Sequence, residues 1–266
     1  MNSTPMPQSE MNPKTIAQTL RGVPVYTGER VEDLHRNGFL LIQDPSRFCF
    51  GVDAVILSAF AKVRKNESVL DLCTGSGVIP ILLAGKTAGK RFDGLEIQAE
   101  SADAARRSVQ LNGLSDQINI VEGDVKSALS LFSASAYDVV TCNPPYMRAG
   151  AGIPNEDAPR TIARHETLCT LDDVVAASAK LLRPQGRLYM VHRPERLADL
   201  MVALRTHSLE PKTLRFVHSR IHKAPVLFLV EAARNGNPSL TVPPPLVIYK
   251  DGTDEYTDEI NRIYYE

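Results

Sequence analysis

The sequence predicts an α/β fold in which a mostly parallel sheet is covered by helices on both faces. Three observations carry that prediction. Short apolar runs alternate with helical patterns from Ser68 to His207, the first run enters its helix through a glycine-rich turn, and each of the first three runs has an acid at its end. Strands that alternate with helices are joined by crossovers, so they lie parallel and bury both faces of the sheet.

Residues 1–28 read as a mobile N-terminal arm, with a short helix around Ile16–Leu20. From Glu29 to Ala61 the apolar residues gather in two runs, Phe39–Ile42 and Ala54–Ala61, the second a buried helix opened by Asp53. The strand runs Ser68–Cys73, Phe92–Ile97, Ile118–Val121, Tyr137–Cys142 and Arg187–Val191 then alternate with helical patterns. Those patterns cover Val78–Ala84, Ala99–Asn112, Leu171–Leu182 and Pro194–His207. Asn112-Gly113 and Arg183-Pro184-Gln185-Gly186 are stops, and Pro194 suits a first helical turn. Thr213–His218 and Pro225–Ala232 have no helical pattern between them and are expected to form an antiparallel hairpin. The domain therefore spans 29–242, and 243–266 is an acidic, Tyr-rich tail that packs back on it.

Bulk properties exclude several classes. A chain of 266 residues buries one substantial core, with or without a small appendage. The formal net charge of −1 gives no general attraction to nucleic acid, so any RNA contact must come from local patches. No apolar run approaches the roughly 20 residues that span a bilayer. The polar start MNSTPMPQSEMNPK lacks the apolar stretch of a secretory signal. Cys49, Cys73, Cys142 and Cys169 form no C-x-x-C pair, which argues against a zinc site or a disulfide framework and fits a reducing cytoplasm. They read as small buried apolar side chains, and no metal is expected.

Asp71-Leu72-Cys73-Thr74-Gly75-Ser76-Gly77 stands where the first strand turns into the first helix. In doubly wound sheets ligands bind in the crevice at the carboxyl ends of the strands. A dinucleotide fingerprint wants a third glycine, but Gly77-Val78-Ile79 leads to Pro80. It also places a pyrophosphate at the helix N-terminus, where the carboxylate of Asp71 would repel it. Asp71 suits the cationic amino-acid end of S-adenosylmethionine; a ligand-free helix-capping turn is the plain alternative. Glu96 follows Gly77 by 19 positions, where an acid accepts ribose hydroxyls, and Asp124 is placed to accept an adenine amino group. The expected cofactor-binding set is Asp71, Thr74, Gly75, Gly77, Glu96, Ile97, Asp124, Val125 and Asn143.

Asn143-Pro144-Pro145-Tyr146 follows the fourth strand and is the expected catalytic segment. An exocyclic amine or amide nitrogen is a poor nucleophile because its lone pair is delocalised. Two acceptors on its N–H bonds, the Asn143 side-chain oxygen and the Pro144 carbonyl, draw it toward tetrahedral geometry and free that pair. The prolines fix the turn, and Tyr146 offers a face for a planar group. Asn-Pro and Pro-Pro are also ordinary turn dipeptides, so a rigid loop is the plain alternative.

Together, Asp71-x-x-x-Gly75-x-Gly77, Glu96, Asp124 and Asn143–Tyr146 resemble the class I amino methyltransferases over roughly residues 65–235. That resemblance implies a seven-stranded Rossmann-like sheet with an antiparallel last strand. A sharper resemblance lies in Arg30–Phe39, Ile42–Leu57 and Arg164-His165-Glu166. These segments look like the adenine-N6-methyltransferases of valine-accepting tRNA. By position the resemblance puts Arg47, Phe48 and Asp53 near the cofactor or the mouth of the site. It puts Arg164, His165 and Glu166 opposite the target base, where His165 reads as a proton acceptor or as part of a loop ion pair. The acid-free stretch Lys212–Lys223, with Arg215 and Arg220, reads as a tRNA phosphate contact or as a solvated face. Protein glutamine methylation, DNA adenine or ribosomal-RNA guanine methylation, and a non-catalytic S-adenosylmethionine-binding module are the competing functions. Oligomeric state is not readable from the sequence.

Overall fold

A computed structural model describes residues 15–47, 49–144 and 169–265. Two hairpins come first, β1 (Ile16–Leu20) with β2 (Val23–Tyr26) and β3 (Arg30–Asp33) with β4 (Leu40–Gln43), then α1 (Val52–Phe60). The alternating region follows as β5 (Ser68–Leu72), α2 (Val78–Lys86), β6 (Arg91–Glu96), α3 (Ala99–Leu111), β7 (Ile118–Glu122), the short α4 (Ala128–Leu131) and β8 (Tyr137–Cys142). After it come α5 (Leu171–Leu181), β9 (Leu182–His192), α6 (Leu197–Thr206), β10 (Leu209–His218), β11 (Pro225–Arg234), β12 (Leu246–Val247) and α7 (Asp258–Tyr265).

The large sheet has the order β12-β10-β11-β9-β8-β5-β6-β7. β11 runs antiparallel to both β9 and β10, while β5 to β9 pair in parallel. Seven of these strands are the expected ones. The eighth, β12, comes from the tail and adds two residues to the β10 edge, Val217 opposite Leu246 and His218 opposite Val247.

Fully buried strands read as continuous apolar runs because both faces are covered. β5 and β8 show it, with Val69, Leu70, Leu72, Val139, Val140 and Cys142 at 0% exposure. One core layer packs α1, α2 and α3 on the sheet, and another packs α5 and α6 on the opposite face. α5 opens with a reciprocal capping box, Thr170 with Asp173, which satisfies two orphan N–H groups of its first turn.

Two expectations need correction. Ile16–Leu20 is a strand rather than a helix, paired with β2 across the two-residue turn Arg21-Gly22, both at positive φ. This hairpin is fixed to α3: the buried Arg107 guanidinium grips the Glu29 carboxylate at 2.8 and 2.6 Å, donates to the Pro24 carbonyl and stacks on Tyr26.

The basic stretch of β10 and its loop is partly taken up by the acidic tail, which pairs Arg215 and Arg220, while His222 and Lys223 stay exposed. Arg215 makes a bidentate pair with Glu259 at 2.9 and 3.0 Å and donates to the Pro244 carbonyl. Arg220 pairs with Asp254 at 2.8 Å, donates to the Lys250 and Thr253 carbonyls and lies over the Tyr249 ring. His222 meets Asp251 at 3.1 Å. Buried Ile248 and Ile260 anchor the tail, and Lys86 donates to the Ile263 carbonyl near its end.

Candidate active site

β5 has β6 on one side and β8 on the other, so successive crossovers leave it in opposite directions and open a crevice at its carboxyl end. Leu72 and Cys142 are register partners, so the glycine loop and Asn143 leave neighbouring strands side by side. Gly77 caps α2 at φ +82°, and a Cβ there would approach the Ala105 Cβ to 3.2 Å. Gly75, at φ +56°, faces open space on the cleft side. Backbone hand favours glycine at both positions, and helix packing adds to it at Gly77.

The cleft is walled by Phe50, Ile79, Leu95, Ile97 and Val125, with Thr74, Gly75, Gln98 and Ser101 on one side and Asn143, Pro144 and Cys169 on another. Glu96 and Asp124 are its two carboxylates, and no Lys or Arg is among its described lining residues. That charge pattern disfavours a pyrophosphate and favours a cationic nucleoside with apolar flanks. S-adenosylmethionine fits the residues that line the cleft.

Glu96 is only 4% exposed. One oxygen accepts from the Gly75 N–H at 2.8 Å and the other from the Gln98 N–H at 2.9 Å. Asp124 accepts from the Lys126 N–H at 2.9 Å and so caps the 3-10 turn that carries Val125 into the cleft.

Asp71 lies elsewhere. It is fully buried, does not line the cleft, and accepts from the hydroxyls of Thr74 and Thr141, both at 2.6 Å. Its carboxylate pins the glycine loop to β8. Burial, with a smaller push from Glu96, raises its pKa from 3.8 to about 7 against the two hydroxyl bonds. The folded protein therefore holds a proton between about pH 4 and 7 that the unfolded chain has released. That stabilisation is complete at low pH and is lost as pH rises through about 7. Asp71→Asn removes the titration, so the variant's melting temperature should fall less than the wild type's between about pH 5 and 8. Parallel curves in a pH series of thermal melts would show that Asp71 does not titrate there.

Three of the four cysteines, Cys73, Cys142 and Cys169, separated in sequence, lie together beside the cleft. All described cysteines are free thiols, and burial and mutual contact push these three upward in pKa. Among the described residues no group of three or more His, Cys, Asp or Glu is placed to hold a metal ion.

Arg47 lies in a side pocket between Asp44 and Glu100, at 3.3 Å from each. Asp53 sits in the first turn of α1, which Gly51 caps, and accepts from the Ala54 N–H. Phe48, Pro145, Tyr146, Arg164, His165 and Glu166 lie outside the described residues. Arg215 and Arg220 are taken up by the tail. Phe50, Gln98 and Ser101 line the cleft without having been singled out in the sequence. Phe-Cys-Phe carried a signal for an aromatic wall, and it is Phe50 that the described structure brings to the cleft.

Residues 50–207 match the methyltransferase small domain family. The tRNA1(Val) (adenine(37)-N6)-methyltransferase of Porphyromonas gingivalis is 34% identical over 187 residues, covering 68% of this chain and 72% of that protein. The protein of the same name from Aeromonas salmonicida is 32% identical over 155 residues, covering 58% and 63%. A predicted O-methyltransferase of Agrobacterium tumefaciens shares the fold at a TM-score of 0.66 and 20% identity, over 80% of this chain and 95% of that one. No helix among the described residues is long and apolar enough to cross a membrane. Glycine loop, paired acids and family match converge: the chain belongs to the methyltransferase small domain family and is an S-adenosylmethionine-dependent methyltransferase of the class I fold.

Proposed function

We propose that the protein methylates the N6 amino group of an adenine in the anticodon loop of a tRNA, of the valine-accepting type, in the cytoplasm. The observation that carries this reading is the placement of Asn143 and Pro144 on the cleft wall, one strand away from the glycine loop. The names of the relatives supply the nucleobase and the RNA. The bound cofactor supplies an electrophilic methyl group. The Asn143 side-chain oxygen and the Pro144 carbonyl accept the two N–H bonds of the target amine and localise its lone pair. Apolar walls from Phe50, Ile79 and Leu95 keep water from the reacting atoms. Once methylated, the nitrogen is strongly acidic and loses a proton to solvent, so no buried base is required. In this reading Tyr146 serves as the stacking face for the base, and Arg164, His165 and Glu166 remain the further candidates for recognising it.

Mass spectrometry of tRNA nucleosides from cells with and without the protein tests the reading, together with methyl transfer to purified tRNA. Loss of one N6-methyladenosine and its restoration in vitro is the expected result. Labelling of protein glutamine instead, with the tRNA unchanged, would overturn it.

The tail contacts change what to expect of the basic strand. Replacing Arg215 and Arg220 together by Ala should change the affinity for tRNA and its salt dependence little, since both guanidiniums are already paired with tail carboxylates. Stability should fall by about 1–2 kcal/mol, because Asp254 and Glu259 are exposed enough for solvent to screen both pairs. Filter binding across a salt series and thermal melts check both halves.

A further inference from the structure

A second, smaller pocket opens beside the cofactor cleft, between β4 and α3. Gln43, Asp44, Arg47, Glu100, Ser76 and Ser101 line it, and the two serines also line the main cleft, so the spaces are continuous. Gln43 ends β4 and is 2% exposed. Its side-chain oxygen accepts from the Phe50 N–H at 2.9 Å, which fixes the amide orientation, since an N–H requires the oxygen there. The amide nitrogen is therefore turned away from Phe50, buried and without a hydrogen-bond acceptor. A buried donor left in that state is costly and calls for an acceptor in the pocket.

The charges around it are mixed. Arg47 stands 3.3 Å from both the Asp44 and the Glu100 carboxylates, longer than a tight charge-assisted bond. Its side chain is 29% exposed and that of Glu100 38%. Glu29 lines the pocket too, its carboxylate taken up by Arg107. A free donor, a loosely held guanidinium and the carboxylates of Asp44 and Glu100 suit neither a phosphate nor a simple cation. They suit a zwitterion. The main cleft, meanwhile, offers its ligand acceptors for hydroxyl and amino groups but, among its described lining residues, no cation for a carboxylate, and Asp71 is sealed behind the glycine loop.

We propose that this side pocket holds the amino-acid end of S-adenosylmethionine, with Gln43 and Arg47 donating to its carboxylate and Glu100 accepting from its ammonium group. The assignment rests on the main cleft holding the nucleoside end. Gln43 acquires the acceptor it lacks, and Arg47, expected near the cofactor or the mouth of the site, becomes a cofactor contact. Ser76, between the two glycines, marks the passage from one space to the other.

Calorimetric titration with two ligands tests this, S-adenosylmethionine and 5′-methylthioadenosine, which has the same nucleoside but no amino-acid end. Gln43→Glu keeps an acceptor for the Phe50 N–H and replaces the amide donor by a carboxylate that repels the ligand's own. Arg47→Ala removes the cation without touching the core. Each should weaken S-adenosylmethionine about tenfold or more and leave 5′-methylthioadenosine within about twofold. Equal weakening of both ligands would mean that the residues only shape the cleft, and unchanged affinity for S-adenosylmethionine would mean that they face away from it. Either result overturns the proposal. Glu96→Ala separates the underlying reading, since it should weaken both ligands. If it weakens neither, the nucleoside assignment of the main cleft fails, and this inference with it.

Discussion

Asn143→Ala is expected to lower the methyl-transfer rate by about two to three orders of magnitude, the scale of losing one preorganised acceptor for the transition state. Affinity for S-adenosylmethionine should stay within about threefold, because the two contacts that hold the cleft's geometry there, Thr141 to Asp71 and Gly75 to Glu96, do not involve Asn143. The change is therefore one of rate at saturating cofactor, and single-turnover kinetics on tRNA is the measurement. Asn143→Asp retains an acceptor oxygen and should keep more of the rate than Ala. Near wild-type turnover in Asn143→Ala would reduce the tetrapeptide to a turn.

Glu96→Ala should weaken S-adenosylmethionine by about 1.5–3 kcal/mol, or roughly ten- to 150-fold, through loss of a charge-assisted acceptor for the ribose. The structure adds a second component. The Glu96 carboxylate also holds the Gly75 and Gln98 N–H groups, so truncation leaves two backbone donors unpaired and loosens the loop that faces the ligand. Melting temperature without ligand should therefore fall as well. Glu96→Gln keeps one acceptor oxygen for this loop and should lie between Ala and wild type in both respects. Calorimetry and thermal melts on the two variants separate the contributions. Unchanged affinity in Glu96→Ala would mean that the side chain serves the loop alone.

The alternating core was legible because buried parallel strands leave uninterrupted apolar runs and end at glycine, acid or proline. Glu96, Asp124 and Asn143 could be placed on one cleft from sequence because each follows such a run directly. Hairpin β1–β2 was not legible: its turn is Arg21-Gly22, and an arginine at positive φ hides the Asn-Gly or Asp-Gly signal of such turns. Asp71 was placed on the correct strand end but given the wrong partner. Sequence cannot tell a carboxylate that faces a ligand from one that ties two hydroxyls, and Thr141 lies 70 residues away. Arg215 and Arg220 failed in the same way, since their acids follow 44 and 34 positions later in the tail. The convergence of Cys73, Cys142 and Cys169 is likewise a product of sheet order, visible only once β5 and β8 are neighbours. Gln43 was invisible because one amide after an apolar run looks like a strand end.

That neighbour relation between β5 and β8 has a consequence for how such an enzyme varies. The segment under the methyl donor and the segment under the acceptor are mounted on adjacent rungs, about 4.8 Å apart, a spacing set by backbone hydrogen bonds rather than by any side chain. The spacing of the two segments that would carry donor and acceptor in the proposed reaction is thus a lattice constant of the sheet. Side chains on both strands can be exchanged for others of like volume without stretching it. Acceptor choice can then drift through the residues that follow Pro144 in the sequence, while the footing of both segments stays under the control of a part of the molecule that takes no part in choosing.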